Sequence, residues 1–141
     1  MKTVAIGSPP SPTTSMRPDS RSGDTQSGLR AVTECDGSAV VVHVGGDVDA
    51  SNEAVWQRLV SRSAGIAIAP GPFVIDVREL EFMGSCAYAV LAQAAVRCKR
   101  RGVSIRLVSS QPIVARTIAA CGLRRLLPLF PTVETALSQA G

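Results

Sequence analysis

The chain has 141 residues and a formal net charge of +4, with 45% hydrophobic and 18% charged residues. That is a one-domain length, and no run of about 18 apolar residues is present to span a membrane. The four cysteines lack CxxC spacing and His43 is the only histidine, so neither a zinc site nor any other cofactor is expected.

Residues 1–28 hold Pro9, Pro10, Pro12 and Pro18 among many Ser, Thr and Gly residues. Such a stretch buries too little apolar surface to offset its ordering entropy, so it is expected to be a disordered tail, with the domain spanning 29–141. The apolar run after Lys2 is too short for a signal-peptide core. A cytoplasmic protein with reduced thiols is the expectation.

Residues 30–34 and 39–45 are β-rich runs separated by Asp36-Gly37, a hairpin signal. The second run is nearly all apolar, as expected of a strand covered on both faces. Asp49-Ala50-Ser51-Asn52 supplies helix-capping residues, and Val55, Leu59 and Val60, with Trp56 near them, share one face of the helix that follows. Pro70-Gly71-Pro72 ends it, and 73–77 reads as a short apolar strand. Gly84 and Ser85 open a long helix to about Arg101, with Ala87, Val90, Leu91, Ala94 and Cys98 at helical spacing. After Gly102, residues 103–108 form a strand. Ser109 or Ser110 then caps a helix with Pro112 in its first turn, which Gly122 ends. Residues 126–130 are a last apolar segment, and Thr132 caps a final helix over 132–139.

Basic residues cluster at Arg97, Lys99, Arg100 and Arg101, and again at Arg124 and Arg125. With aromatics at only 4%, these read as solvated helix ends complementing the helix dipole, not as a nucleic-acid surface. The β–α alternation argues for a small α/β domain with a mostly parallel sheet of about five strands and consecutive β–α units. Composition and periodicity alone carry no function.

Local motifs in this order resemble the STAS family of bacterial anti-sigma factor antagonists. Gly45-Gly46-Asp47-Val48-Asp49 is similar to the family's turn after its second strand, and Val74-Ile75-Asp76-Val77 to its strand ending in Asp-Leu. Leu80-Glu81-Phe82-Met83 then leads into the position of the family's Asp-Ser-Ser-Gly switch. The segment from Arg101-Gly102-Val103 to Leu107-Val108, and that from Ile118 to Leu126, resemble the following strand and the end of the third helix. The resemblance implies a STAS fold with helices mainly on one face. It also implies a partner, a kinase-like ATP-binding anti-sigma factor, whose capture frees a sigma factor for transcription, often in a stress response. That is partner switching by protein binding, not enzymatic catalysis. A lone His43 in a strand, with no Ser–His–Asp grouping, agrees with a non-enzyme. A scaffold domain of a stress-signalling complex is the alternative the family offers, and a monomer or weak dimer is expected.

In the family, phosphorylation of the second switch hydroxyl breaks the complex, because it brings about two negative charges into a packed interface at a helix start. Here Gly84 stands where the family has Asp, Cys86 where it has the phosphorylated Ser or Thr, and Ala87 where it has Gly. Only Ser85 keeps its hydroxyl. Three readings stay open. Cys86 is a small apolar residue packed under the helix start; or the domain binds constitutively or is switched at Ser85; or Cys86 is a redox switch at the helix N-terminus. Cys98 and Cys121 are further redox candidates. Parallel crossover helices put Cys86 at one sheet edge and Cys98 roughly 18 Å away along its helix. Cys121 is expected at that far edge too, which makes Cys98–Cys121 the closer pair. Cys86–Cys121 is then beyond the ~7 Å Cα separation of a disulfide, which leaves Cys86 to react with glutathione or a second chain.

By position, the family's partner surface maps onto Asp47, Asp49, Ser51 and Asn52 in the first loop and Met83, Gly84, Ser85, Cys86 and Tyr88 in the second. Tyr88 lies off the inward stripe and is expected to face solvent or the partner, or to pack in part against the Phe82 loop. Asp49 is expected first of all to cap its helix.

Overall fold

The Asp36-Gly37 signal closes a hairpin. In the computed structural model, which describes residues Lys2–Ala5 and 28–138, β2 (Leu29–Asp36) and β3 (Ala39–Val48) pair antiparallel around Gly37 at φ 62°. From β3 onward, neighbouring strands run parallel: β4 (Phe73–Met83), β5 (Ile105–Val108) and β6 (Leu129–Phe130). The crossovers are α1 (Glu53–Ile66), α2 (Ser85–Arg100) and α3 (Pro112–Ala120), and α4 (Val133–Ser138) follows β6.

The sheet has six strands in sequence order, the expected mostly parallel set of about five with one short edge strand added. The addition is β1 (Lys2–Ala5), paired antiparallel with β2. It falls in the stretch assigned to a tail. Averaging composition over 28 residues hid a four-residue run, Lys2-Thr3-Val4-Ala5, able to pair along the edge of β2. Residues 6–27 of that stretch lie outside the described residues.

The α/β class holds, with three parallel pairs against two antiparallel ones. Strand period sorts the core. Val40, Val42 and Val44 of β3, Phe73, Ile75 and Val77 of β4, and Ile105 and Leu107 of β5 join the cluster formed with α1, α2 and α3. On the other face Val41, Val74 and Val108 pack under Ala136 of α4, with Phe130 and Val133 beside them. The nearly all-apolar run of β3 is therefore covered on both sides over Val40–Val42, as its composition predicted, while His43 stays a third exposed. Arg106 donates to the Ala136 carbonyl and lies 5.9 Å from the centre of the Phe130 ring, which ties α4 to that face. Arg101, from the basic cluster, donates to the Ala64 and Ala67 carbonyls at 2.9 and 2.6 Å and so closes the end of α1.

β4 is longer than the five residues expected. Beyond Asp76 it bulges twice against β3: His43 pairs with Asp76 but Gly45 with Glu79, and Gly46 pairs with Leu80 but Asp47 with Phe82. Each bulge inserts one residue into β4 and re-aims the strand. The result carries residues 79–84 up beside 45–49 and sets the edge described next.

Candidate partner-binding edge

Two segments meet at the C-terminal ends of β3 and β4. The Gly84 N–H donates to the Val48 carbonyl at 2.8 Å, joining the end of β3 to the start of α2. Gly84 is the N-cap of α2 in an extended conformation (φ −72°, ψ 168°) with no side-chain cap. Behind it, the fully buried Trp56 donates through Nε1 to the Ala87 carbonyl at 3.2 Å, bracing the first turn of α2 against α1.

The first segment is a capping box. The Asp49 carboxylate accepts from the Ser51 N–H at 2.9 Å and from its hydroxyl at 2.5 Å, and the Asp49 N–H donates to Asn52 Oδ1 at 3.0 Å. Asn52 Nδ2 also donates to the Asp47 carbonyl at 2.9 Å. These bonds hold the Asp49 carboxyl below the usual carboxylate range, the Ser51 hydroxyl contributing most. Asp49 thus caps, as expected, a short 3-10 turn (Ala50–Asn52) that leads into α1.

Of the residues expected to face a partner, Asp47, Ser51 and Ser85 are exposed, and Asp49, Met83, Gly84 and Cys86 are half-buried. Two expectations change. Asn52 is buried, its amide spent on Asp47 and Asp49, so it shapes the loop from beneath. Tyr88 is only 3% exposed, with its hydroxyl beside Thr117 of α3, and burial pushes that hydroxyl's pKa up. The reason is topological. α2 lies between α1 and α3, so its buried stripe widens to take in Tyr88 and Ala95, which the narrower inward stripe left out.

All four cysteines are free. Cys98 is wholly buried in the core, and burial pushes its thiol pKa up. Cys121 is exposed just past α3, within electrostatic reach of the Tyr88 hydroxyl. Cys86 is half-buried at the second position of α2, so it is not sealed under the helix start.

The sequence reading missed an apolar notch beside this edge. Phe82 and Ile113 are 54% and 56% exposed, and they flank a cavity of about 90 Å³ lined also by Leu80, Met83, Tyr88 and Val114. Gln111 donates to the Leu80 carbonyl at 3.0 Å and fixes the start of α3 against β4. Phe82, an aromatic two residues before the switch position, was the available signal. Among the described residues no group of His, Cys, Asp and Glu could hold a metal ion, and no helix is long and apolar enough to cross a membrane.

A mostly parallel open sheet with all three crossover helices in one core cluster, and a loop pair at the start of the second of them, defines a small α/β domain. The STAS domain model matches residues 30–136, and the chain belongs to that family. It is 52% identical over 117 residues to the Mycobacterium tuberculosis protein named as anti-anti-sigma factor Rv2638, covering 83% of this chain and 79% of that one. It is 51% identical over 110 residues to the anti-sigma-F factor antagonist RsfA of M. tuberculosis, covering 78% and 86%. Among solved structures, an anti-sigma factor antagonist from Mycobacterium paratuberculosis superposes with a TM-score of 0.70 at 25% identity, over 79% of this chain and 93% of that one.

Asp49→Ala is expected to lower the unfolding midpoint through the lost cap; unchanged partner binding would leave Asp49 a cap alone, and weakened binding of the folded variant would make it a contact as well. Urea denaturation read beside a binding titration separates the two roles.

Proposed function

We propose that this chain is an anti-sigma factor antagonist that acts by binding, not by catalysis. Its partner is a kinase-like anti-sigma factor in the cytoplasm, and the edge formed by Asp47, Asp49, Ser51 and residues 83–86 makes the contact. Neither nucleic acid nor membrane takes part. The observation that carries this reading is the Gly84–Val48 hydrogen bond, which holds the exposed Ser85 and half-buried Cys86 next to the first loop. The names of the curated relatives at 51–52% identity support the same function.

Regulation through Cys86 is the finer part of the proposal. A Ser/Thr kinase has no hydroxyl to modify at that position, while the thiol is accessible where Cys98 is not. In the oxidising step the Cys86 thiolate attacks glutathione disulfide. One sulfur–sulfur bond forms, the original one breaks, and one glutathione thiolate leaves. The bulky, charged adduct would then block the edge.

A pulldown of the anti-sigma partner tests this with wild type, Cys86→Ser and Ser85→Asp, each under reducing conditions and with glutathione disulfide. Wild type is expected to lose recovery on oxidation, and Cys86→Ser to keep it. Equal recovery in all arms removes the switch and leaves a constitutive binder. Mass spectrometry of the oxidised chain showing an internal Cys86–Cys121 disulfide would replace the glutathione route with an intramolecular one.

A further inference from the structure

On the sheet face away from α1, α2 and α3, three strands contribute to one polar cluster. His43 of β3 lies between two carboxylates: Nδ1 is 2.8 Å from Asp76 Oδ2 of β4, and Nε2 is 3.0 Å from Glu34 Oε1 of β2. A neutral imidazole has one N–H donor and one lone pair, whereas two ionised carboxylates need a donor at both nitrogens. The arrangement is therefore built for the imidazolium. The Asp76 carboxylate, whose side chain is 4% exposed, also accepts from the Arg78 backbone N–H at 3.1 Å and from its guanidinium twice at 2.9 Å. Arg78 lies in the first β4 bulge, where Val77 and Arg78 together oppose Val44 between the pairs His43–Asp76 and Gly45–Glu79. One carboxylate thus holds both the histidine and the bulge.

We propose that Glu34, His43 and Asp76 form a proton-operated clasp across β2, β3 and β4 that regulates how segments 45–49 and 79–84 present the partner edge. The proposal rests on that edge being the contact surface. Its path is short. The residue just before β2 holds the first segment from one side: Gly46, at φ 106°, leaves room for the Gly28 carbonyl where a Cβ would sit 1.7 Å from it, and that carbonyl accepts from the Asp47 N–H at 3.2 Å. The bulged β4 holds it from the other side. With His43 protonated, all three strands are joined. When His43 loses its proton, one carboxylate faces a lone pair. Glu34, half-exposed, is the one that water can satisfy, so the tie to β2 releases first.

The charged groups facing His43 among the described residues are Glu34 and Arg30 from β2, and Asp76, Arg78 and Glu79 from β4. Glu134 of α4 acts on Arg78 from further off. α1, on the opposite face of β3, contributes apolar Trp56, Leu59 and Val60 to the core there. A solvent-connected cavity of about 300 Å³, lined by Arg30, His43, Asp76 and Arg78, gives the ring access to water. Burial disfavours the imidazolium, but the hydrogen bonds with Glu34 and Asp76 outweigh it and raise the pKa. The clasp is therefore closed below the ordinary histidine value of about 6.5 and opens as pH rises through the folded-state midpoint above it.

NMR titration of the full chain from pH 6 to 8.5 tests this without any partner. The His43 ring is expected to titrate above 6.5, and the Gly45, Gly46 and Asp47 amides to move with the same midpoint. Glu34→Gln should lower that midpoint while keeping the buried Asp76 contact, and His43→Gln should abolish the movement. A ring midpoint at or below 6.5, or amide movement that persists in His43→Gln, overturns the clasp. The same amide titration in a chain that captures no anti-sigma factor would uphold the clasp and reject only the partner.

Discussion

Trp56→Ala is expected to remove about 3–5 kcal/mol of stability, the range for deleting a fully buried aromatic side chain. Trp56 has no exposed surface and sits where α1, α2 and the sheet meet. The truncation opens a cavity that rigid neighbours cannot refill, and it removes the N–H that meets the Ala87 carbonyl. Trp56→Phe should cost less, about 1–2 kcal/mol, because most of the apolar volume stays and only the indole N–H and part of the ring are lost. Urea denaturation gives both values. It must be followed by far-UV circular dichroism, since Trp56 is the chain's one tryptophan and both substitutions remove the fluorescence signal. The functional consequence follows from position: Ala87 lies in the first turn of α2, beside Cys86, so a variant that still folds should bind a partner more weakly at the edge. Equal stability of Trp56→Ala and wild type would mean that α1 does not brace that turn.

What the sequence made legible was local. The capping residues before α1, the helical row Ala87–Val90–Leu91–Ala94–Cys98 and the Asp36-Gly37 turn each act over a few residues, and each appears in the structure where its period or turn chemistry placed it, whereas α1 already ends at Ile66, ahead of the stop expected at 70–72. What stayed hidden depended on neighbours in space. Tyr88 is buried because α3 covers its side of α2, a fact of topology absent from the α2 pattern itself. β1 forms because β2 offers an edge, not because its own four residues are strongly strand-forming. His43 read as a lone histidine because its two partners come from other strands. One of them was within reach: the hairpin register pairs His43 with Val32 and Val41 with Glu34, which makes Glu34 a diagonal neighbour of His43 on the same face. Asp76 required the parallel register of β3 and β4, which no turn residue encodes.

The second large effect concerns that hidden cluster. Asp76→Ala is expected to cost about 2–3 kcal/mol, because it leaves the His43 and Arg78 cations without their shared anion. The figure stays below that for a fully buried pair, since His43 and Arg78 are 33% and 39% exposed and water takes over part of their solvation. Its pH signature separates it from a packing defect. Burial opposes ionisation of Asp76, yet the hydrogen bonds from Arg78 and His43 outweigh burial and lower its pKa. A carboxylate held low in the folded state stabilises the fold above its unfolded pKa of about 3.9, and that contribution is lost as pH falls through the folded-state value. Wild-type stability should therefore drop more steeply than that of Asp76→Ala as the solution is acidified below about pH 4. At the other end of the range the variant should also lower the His43 midpoint, since one of the two carboxylates that raise it is gone. Urea midpoints measured from pH 3 to pH 8 read both limbs at once. If wild type and Asp76→Ala differ by a constant across that range, the carboxylate acts only through its volume, and neither the ion cluster nor the clasp built on it survives.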